Sequence, residues 1–391
     1  MSQTESFFES PKAKELAVEI AKRLDANNQL SLINEYRKLG IDPEMITFAL
    51  NQARYKQRGI VKFGERASEM LFTEAGLEQA TRQQVAAWHA SRFNEASIAS
   101  VTDLGAGIGS DAIGFADAGL EVTAVENHPE SFQALKHNLA TIANATALEQ
   151  DATNHQISSA GVWLDPARRD QDRKSLTVQR LEPSMFSPNL DFVFEIANQY
   201  PAGIKLAPGF PHELIPANFE ANWVSHHGDL VEMTLWSGRL GQPGIKKAVM
   251  VGETVSEFVG TDQRAAISEI ERYLYEPDVS LIRSHLVGDY ANQNGLHLIS
   301  EQIAYLSSAK LVSSPWVKGY EVLDVLPLDV KQIKAYCSKH DIGVLEIKKR
   351  GVDVTPEALR PKLKLKGAGA STLVLTKVGS ARQAIVCKSI R

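Results

Sequence analysis

VTDLGAGIGSDAIGFADAG, residues 101–119, starts as a short apolar strand and continues as a helix, with Gly105, Gly107 and Gly109 in the turn between them. A strand, a tight turn and a helix in that order open a parallel α/β sheet with helices on both faces. Glycine lets the backbone approach a ligand closely and accepts positive φ, and the helix N-terminus behind it offers free amides to an anionic group. The turn, with Ala106 at its centre, therefore reads as a ligand cradle. Its spacing is GxGxG, and Ser110 stands where a dinucleotide fold places its third glycine, which argues against a nicotinamide dinucleotide.

Acidic residues surround this turn. Asp103 lies two residues before the first glycine, at the carboxyl end of the strand, where a carboxylate can face the ammonium of a methionine moiety. Glu126, followed by Asn127, closes the next strand, EVTAVE, and an acid there can accept both hydroxyls of a ribose. Asp151 follows the third strand and is placed to accept from an adenine amino group. Singly, these residues are equally compatible with an ordinary turn, a helix N-terminal acid and a loop cap. As an ordered set at three successive strand ends they point to S-adenosylmethionine.

Around this centre the chain changes character twice. Residues 1–95 read as a helical region: Lys12 to Leu24, Gln29 to Leu39, Pro43 to Lys56 and Arg82 to Phe93 carry apolar residues at three- and four-residue spacing. Residues 96–252 alternate short strands with helices. The strands are expected at Ser100 to Leu104, Glu121 to Glu126, Ala147 to Gln150, Gly161 to Asp165 and Ala202 to Leu206, with Asn222 to Ser225, Val231 to Trp236 and Lys247 to Val251 as further candidates. Residues 253–318 read as a connecting segment, with helices expected over Asp262 to Tyr275 and Ser300 to Ser308. From 319 to 391 a compact α/β pattern returns: strand Gly319 to Leu326, helix Asp329 to His340, strand Gly343 to Lys349, helix Pro356 to Pro361, and two strands flanking Gly379.

The motifs DLGAGIG (103–109), Glu126, Asp151 and LDPARR (164–169) resemble the first four motifs of the class I S-adenosylmethionine-dependent methyltransferases. The resemblance implies an α/β, Rossmann-like fold with a seven-stranded sheet, bound cofactor at Asp103, Gly105, Ala106, Gly107, Gly109, Glu126, Asn127 and Asp151, and no metal. LEIKKRGVDVTPEALRPKLKLKG (345–367) followed by STLVLTKV (371–378) resembles a THUMP-like domain, and kinship with THUMP domains implies association with RNA. The combination is similar to RNA guanine-N2 and trimethylguanosine synthase-type methyltransferases, which implies an exocyclic base nitrogen as acceptor. In that group the fourth motif has Asp or Asn, two prolines and an aromatic residue. Asp165 and Pro166 match it as the catalytic pair, whereas Ala167 and Arg168 replace the second proline and the stacking ring. Asp165 is thus the residue expected to orient the acceptor, although a cap on the loop after the fourth strand is its plainer reading.

Charge supports a polyanionic partner. Residues 331–391 carry 14 Lys or Arg against Asp341, Glu346, Asp353 and Glu357, a local charge of +10, so the first 330 residues sum to −15 within a total of −5. Lys348, Lys349 and Arg350, with Lys362, Lys364 and Lys366 alternating along KLKLKG (362–367), form a candidate basic stripe for a phosphate backbone. Arg168 and Arg169 are candidate contacts to the substrate, or partners for the neighbouring acids Asp170, Asp172 and Glu182. In the helical region, Lys56, Arg58, Lys62 and Arg66 either extend a basic surface or cover the cofactor. His226 and His227 lack matched acids at metal-ligand spacing and are expected to have surface or packing roles. With 43% hydrophobic residues, two cysteines and no apolar run of about 18 residues, the chain is expected to be cytoplasmic, without a membrane span. The expected function is methylation of RNA from S-adenosylmethionine. The alternatives are a protein or small-molecule acceptor, and an inactive RNA-binding protein that keeps its cofactor pocket.

Overall fold

The computed structural model describes residues 3–25, 27–168 and 185–390. Its N-terminal helices are α1 (Gln3–Glu9), α2 (Pro11–Arg23), α3 (Gln29–Lys38), α4 (Pro43–Phe63), α5 (Glu74–Gln79) and α6 (Gln83–Glu95). Their starts are written locally. Ser10 accepts from the Ala13 amide at 3.3 Å, and Asp42 accepts from the amides of Glu44 and Met45 at 2.7 and 3.1 Å, each just before a proline at the first helical position. Helix α4 runs beyond Lys56 to Phe63 and stops at Gly64, whose φ of +58° disfavours a side chain.

The α/β alternation follows as β1 (Ser100–Leu104), α7 (Ser110–Asp117), β2 (Glu121–Glu126), α8 (Pro129–Leu139), β3 (Ala145–Glu149) and β4 (Gly161–Leu164). A short antiparallel ribbon of β5 (Ala167–Arg168) and β6 (Phe186–Ser187) precedes α9 (Leu190–Gln199). Then come β7 (Ala202–Leu206), β8 (Glu220–His226), β9 (Asp229–Trp236), β10 (Lys246–Val251) and β11 (Val255–Gly260). Strands β3, β2, β1, β4 and β7 pair in parallel, and β9 runs antiparallel to β7. The order is β11-β10-β8-β9-β7-β4-β1-β2-β3, nine strands rather than the expected seven. Beyond β8 the sheet continues through β10, at the strand candidate Lys247 to Val251, and through β11, which was not expected; both satisfy backbone groups that an edge at β8 would leave open.

By compactness the chain divides into two units. The first comprises Met1–Ala221, Glu232–Gly244 and Val251–Val255, and the second comprises Asn222–Val231, Ile245–Met250 and Ser256–Arg391. The interior of the first unit is aromatic: Trp163 stacks at 45° against Trp236 with centroids 5.6 Å apart, and Phe93 and Phe115 meet edge to face at 5.1 Å. A Cβ on Gly203 would lie 2.6 Å from the Trp163 ring and 2.7 Å from that of Trp236, so this strand position admits only glycine beside the two indoles.

The second unit is built on β12 (Tyr273–Pro277), α10 (Val279–Arg283), α11 (Val287–Asn294), β13 (His297–Ser300), β14 (Ile303–Ser308), β15 (Val317–Pro327), α12 (Val330–Lys339), β16 (Ile342–Lys349), α13 (Pro356–Leu363), β17 (Gly369–Val378) and β18 (Ala381–Ser389). Its seven-stranded sheet has the order β13-β14-β12-β15-β18-β17-β16. The stretch read from sequence as a connecting segment supplies three of these strands, and the helices expected over Asp262 to Tyr275 and Ser300 to Ser308 are not formed. Strand β12 lies between β14 and β15, and β14 is buried along most of its length. A short strand buried on both faces has no alternating pattern, so periodicity alone cannot separate it from a buried helix. The later elements follow the expected pattern. Ile333, Leu345, Leu359, Leu373 and Val386 share the core that joins α12 and α13 to the sheet. Among the described residues no helix is long and apolar enough to cross a membrane.

Candidate active site

Strand β1 is flanked by β2 on one side and β4 on the other, and successive connections leave it in opposite directions. In open α/β sheets ligands bind at such a switch point, outside the carboxyl ends of the strands. Asp103, the glycine turn, Glu126 and Asp165 all meet there.

The turn is built to be bare. Gly105, Gly107 and Gly109 have φ of +89°, +56° and +90°, and a Cβ on Gly105 would come within 3.0 Å of the Asp165 carbonyl oxygen. The amides of Gly105 and Ala106 both donate to Val125 O at 3.0 Å, tying the turn to the end of β2. Glu126 accepts from the Gly107 amide at 2.8 Å and from the His128 amide at 2.7 Å, so its carboxylate is oriented by the turn itself. Asp151 accepts from the amide and hydroxyl of Thr153 at 2.8 and 2.6 Å, which depresses its pKa, and Asn127 Nδ2 reaches it at 3.4 Å. These bonds leave Glu126, Asn127 and Asp151 linked along one rim.

Asp103 is different. It is 1% exposed, and among the described residues neither carboxylate oxygen has a hydrogen-bond partner. Burial, reinforced by the like charges of Asp111 and Asp165, pushes its pKa well above the ordinary carboxylate range. An unsatisfied buried carboxylate is costly, and its natural complement is a cation brought by a ligand.

Asp165 stands just past β4, where its amide donates to Leu104 O at 3.3 Å. Its Oδ2 accepts from Lys205 Nζ at 2.7 Å. Lys205, on β7, also donates to Gln79 O at 3.2 Å and lies 4.0 Å from Asp111. Asp111 accepts from Thr81 Oγ1 at 2.7 Å and pairs with His89 Nδ1 at 2.8 Å, and His89 Nε2 pairs with Glu232 at 2.6 Å. Although burial opposes it, the charges of Glu232 and Asp111 and their hydrogen bonds raise the His89 pKa to about 9, so the imidazole is a cation between two carboxylates. Burial raises the pKa of Asp165, and the Lys205 charge counteracts this.

Two S-adenosylmethionine-dependent methyltransferases of uncharacterised role, one from each of two strains of Mycobacterium tuberculosis, are 28% identical to the chain over 351 residues, covering 86% of it and 95% of each relative. A crystal structure of a proposed methyltransferase from Porphyromonas gingivalis W83 matches the fold with a TM-score of 0.73 at 18% identity, covering 94% of this chain and all of that one. Residues 317–389 match the family model described as THUMP domain-like. The chain has the fold of these methyltransferases and is similar to them along most of its length, and residues 317–389 form a THUMP-like domain.

The residues of this site fit S-adenosylmethionine on two observations: the buried carboxylate of Asp103, which has no hydrogen-bond partner among the described residues, and a cradle that a Cβ at Gly105 would crowd. Pro166 is buried beside Asp165, and Arg168 lies in β5. Arg169, with Asp170, Asp172, Arg173 and Glu182, lies outside the described residues.

The expected basic stripe is divided. Lys348 pairs with Glu276 and lies over the Tyr320 ring, while Arg350 donates to Ala304 O at 3.0 Å and covers Tyr305 at 5.0 Å. Both cations are engaged within the second unit. Lys349, Lys362, Lys364 and Lys366 are exposed, and the KLKLKG stretch is the end of α13 and a loop. In the N-terminal helices Lys56 donates to the carbonyls of Ser68 and Met70, and Lys62 donates to those of Leu77, Glu78 and Ala80, so burial lowers each to about 8. Arg66 pairs with Asp117 at 2.6 Å and Arg58 with Glu78 at 3.6 Å.

Sequence reasoning passed over Lys205, Asp111, His89, Glu232 and Thr81. One signal was available for Lys205: a lysine inside the apolar strand AGIKL must find a buried partner. The His89 partners are separated by 22 and 143 residues, and no local pattern joins them.

Proposed function

We propose that the protein methylates RNA at an exocyclic base nitrogen, using S-adenosylmethionine as methyl donor. The observation that carries the reading is the buried Asp103 carboxylate, without a hydrogen-bond partner among the described residues, beside the three-glycine turn. When bound, S-adenosylmethionine supplies an electrophilic methyl group on a cationic sulfur. Asp103 would face its ammonium, the turn from Gly105 through Ala106 and Gly107 to Gly109 would receive its backbone-like portion, Glu126 its ribose, and Asn127 and Asp151 its base. Asp165 and the carbonyl end of Pro166 would orient the acceptor amine, and Arg168 and Arg169 would contact the substrate. Much of the work is alignment and exclusion of water, which a rigid strand-end site supplies.

The THUMP-like domain would hold RNA through Lys349, Lys364 and Lys366, with Lys348 and Arg350 shaping that surface through their internal bonds. A base stacked in a helix cannot present its amino group to a strand-end pocket, so the target is single-stranded, looped or flipped. The free, buried Cys337 and Cys387 suit the reducing cytoplasm we assign to it. Incubation with isotopically labelled S-adenosylmethionine and total RNA from cells lacking the protein, followed by nucleoside analysis, tests the proposal; a labelled N-methylated nucleoside is expected. A second reading, a protein or small-molecule acceptor, draws support from the internal engagement of Lys56, Lys62, Lys348 and Arg350, which leaves fewer cations for a phosphate backbone. Label recovered only outside RNA would select it.

A further inference from the structure

We propose that Lys205 is a positioning residue, holding one carboxylate oxygen of Asp165 so that the other is presented to the methyl acceptor. The inference rests on the preceding reading, in which Asp165 orients that acceptor.

A lysine ammonium has three hydrogens to place. Here, on a lysine side chain only 12% exposed, Asp165 Oδ2 at 2.7 Å and Gln79 O at 3.2 Å take hydrogen bonds, and Asp111 Oδ2 lies at 4.0 Å. The ammonium is surrounded by protein acceptors, which suits a role acting through Asp165 rather than on substrate. Asp111 is in turn held by Thr81 and by His89, and His89 by Glu232, so the arrangement under Lys205 is braced from α6, α7 and β9.

A fold has little need of this. Well-packed apolar residues commonly replace a buried ion pair without loss of stability. Yet Lys205 lies in a strand whose neighbours Ile204 and Leu206 are buried, and its charge is directed at the end of β4, where the acceptor is expected.

The geometry also divides the labour within Asp165. Its Oδ2 is taken, whereas Oδ1 accepts no hydrogen bond from the described residues, and the side chain as a whole is 30% exposed. One free oxygen on a fixed carboxylate accepts a single N–H or O–H along a defined line. Arg168 stands where the stacking ring is expected, so this directional bond takes on more of the orientation. The ionised state of Asp165 depends on the same lysine. The groups that bear on it are Lys205 from β7, Asp111 from α7, Glu232 from β9 and Asp103 from β1, and Lys205 is the cation among them that contacts it.

The test uses full-length protein with Lys205→Met and Lys205→Arg. S-adenosylmethionine affinity is measured by calorimetry, kcat and KM on RNA by label transfer, and the ionisation of Asp165 by carbon-13 carboxyl NMR, its resonance assigned by its loss in Asp165→Asn. For Lys205→Met we expect undiminished cofactor affinity, kcat lowered about 10- to 100-fold with KM changed less than about threefold, and the Asp165 midpoint raised by a unit or more. The acid limb of the rate profile should move up with it. Lys205→Arg, which keeps the cation, should recover part of kcat and the original midpoint. A kcat within about threefold of wild type, or an unmoved Asp165 midpoint, overturns the inference. Should Lys205→Met fail to fold, Lys205→Gln is read by the same criteria. If wild-type protein binds S-adenosylmethionine but labels no RNA, the functional reading alone has failed, and the carboxylate titration decides the role of Lys205.

Discussion

Replacing Asp103 by Asn should separate stability from binding, with effects that run in opposite directions. The carboxylate is 1% exposed, has no hydrogen-bond partner among the described residues, and faces the like charges of Asp111 and Asp165. In the folded protein it therefore retains a proton to an unusually high pH, and an isosteric neutral amide should leave stability within about 1 kcal/mol or raise it slightly. Cofactor binding is the reverse case. A cation docking against Asp103 requires the ionised form, and removing one member of a buried, hydrogen-bonded charge pair costs about 2–4 kcal/mol, a drop of about 30- to 1,000-fold in affinity. Because burial raises the Asp103 pKa in the free site and a bound cation would lower it, wild-type binding should release protons in the pH range between the two values, and affinity should rise with pH there. Asp103→Asn should abolish both. Urea unfolding supplies the stability, and titration calorimetry in buffers of different ionisation enthalpy supplies affinity and proton count. A variant destabilised by more than about 2 kcal/mol with unchanged S-adenosylmethionine affinity would show Asp103 to be a structural residue and refute the reasoning.

Other expectations follow from particular side chains. Gly203→Ala would place a methyl group 2.6 Å from Trp163 and 2.7 Å from Trp236; a destabilisation of about 1–3 kcal/mol in urea unfolding is expected, and full stability would mean that the two indoles pack less tightly than described. His89 should remain an imidazolium in nitrogen-15 NMR up to about pH 9, whereas a midpoint between pH 6 and 7 would contradict its place between Asp111 and Glu232. Its folded pKa exceeds the unfolded value of 6.5, so its stabilising contribution is complete below pH 6.5 and lost as pH rises through about 9. Lys56 and Lys62, lowered to about 8, act with the opposite sign from pH 8 to 10.5, so the His89 effect is best read below pH 8. Lys364→Glu combined with Lys366→Glu should weaken RNA binding and flatten its salt dependence in filter-binding or fluorescence titrations, by about 0.7 in log–log slope for each phosphate that is no longer neutralised. An unchanged slope would remove these lysines from the RNA surface.

How far the sequence alone could be read differs between the two units. The glycine turn and its acids were legible because strand, turn and helix are local patterns, and each acid could be placed by its distance from a strand end. Asp103, Glu126 and Asp165 do meet at the strand-order reversal, and the C-terminal α/β elements appear nearly where the apolar spacing put them. The stretch from 253 to 318 was not legible, because β12 and β14 are short strands lacking the alternation that marks a half-buried one.

Charge was the other blind spot. Sequence supplies the number of cations but not the carbonyls and carboxylates that engage them, so Lys348 and Arg350 look as available as Lys349. What the sequence determined by itself is the bare turn after β1, since a turn of three positive-φ glycines needs only neighbours along the chain. What only the tertiary structure decided is the state of the groups around it: an ammonium from β7 reaches Asp165, and an imidazole from α6 reaches Asp111 and Glu232, because folding brings together residues up to 143 positions apart in a low-dielectric interior where partners set ionisation.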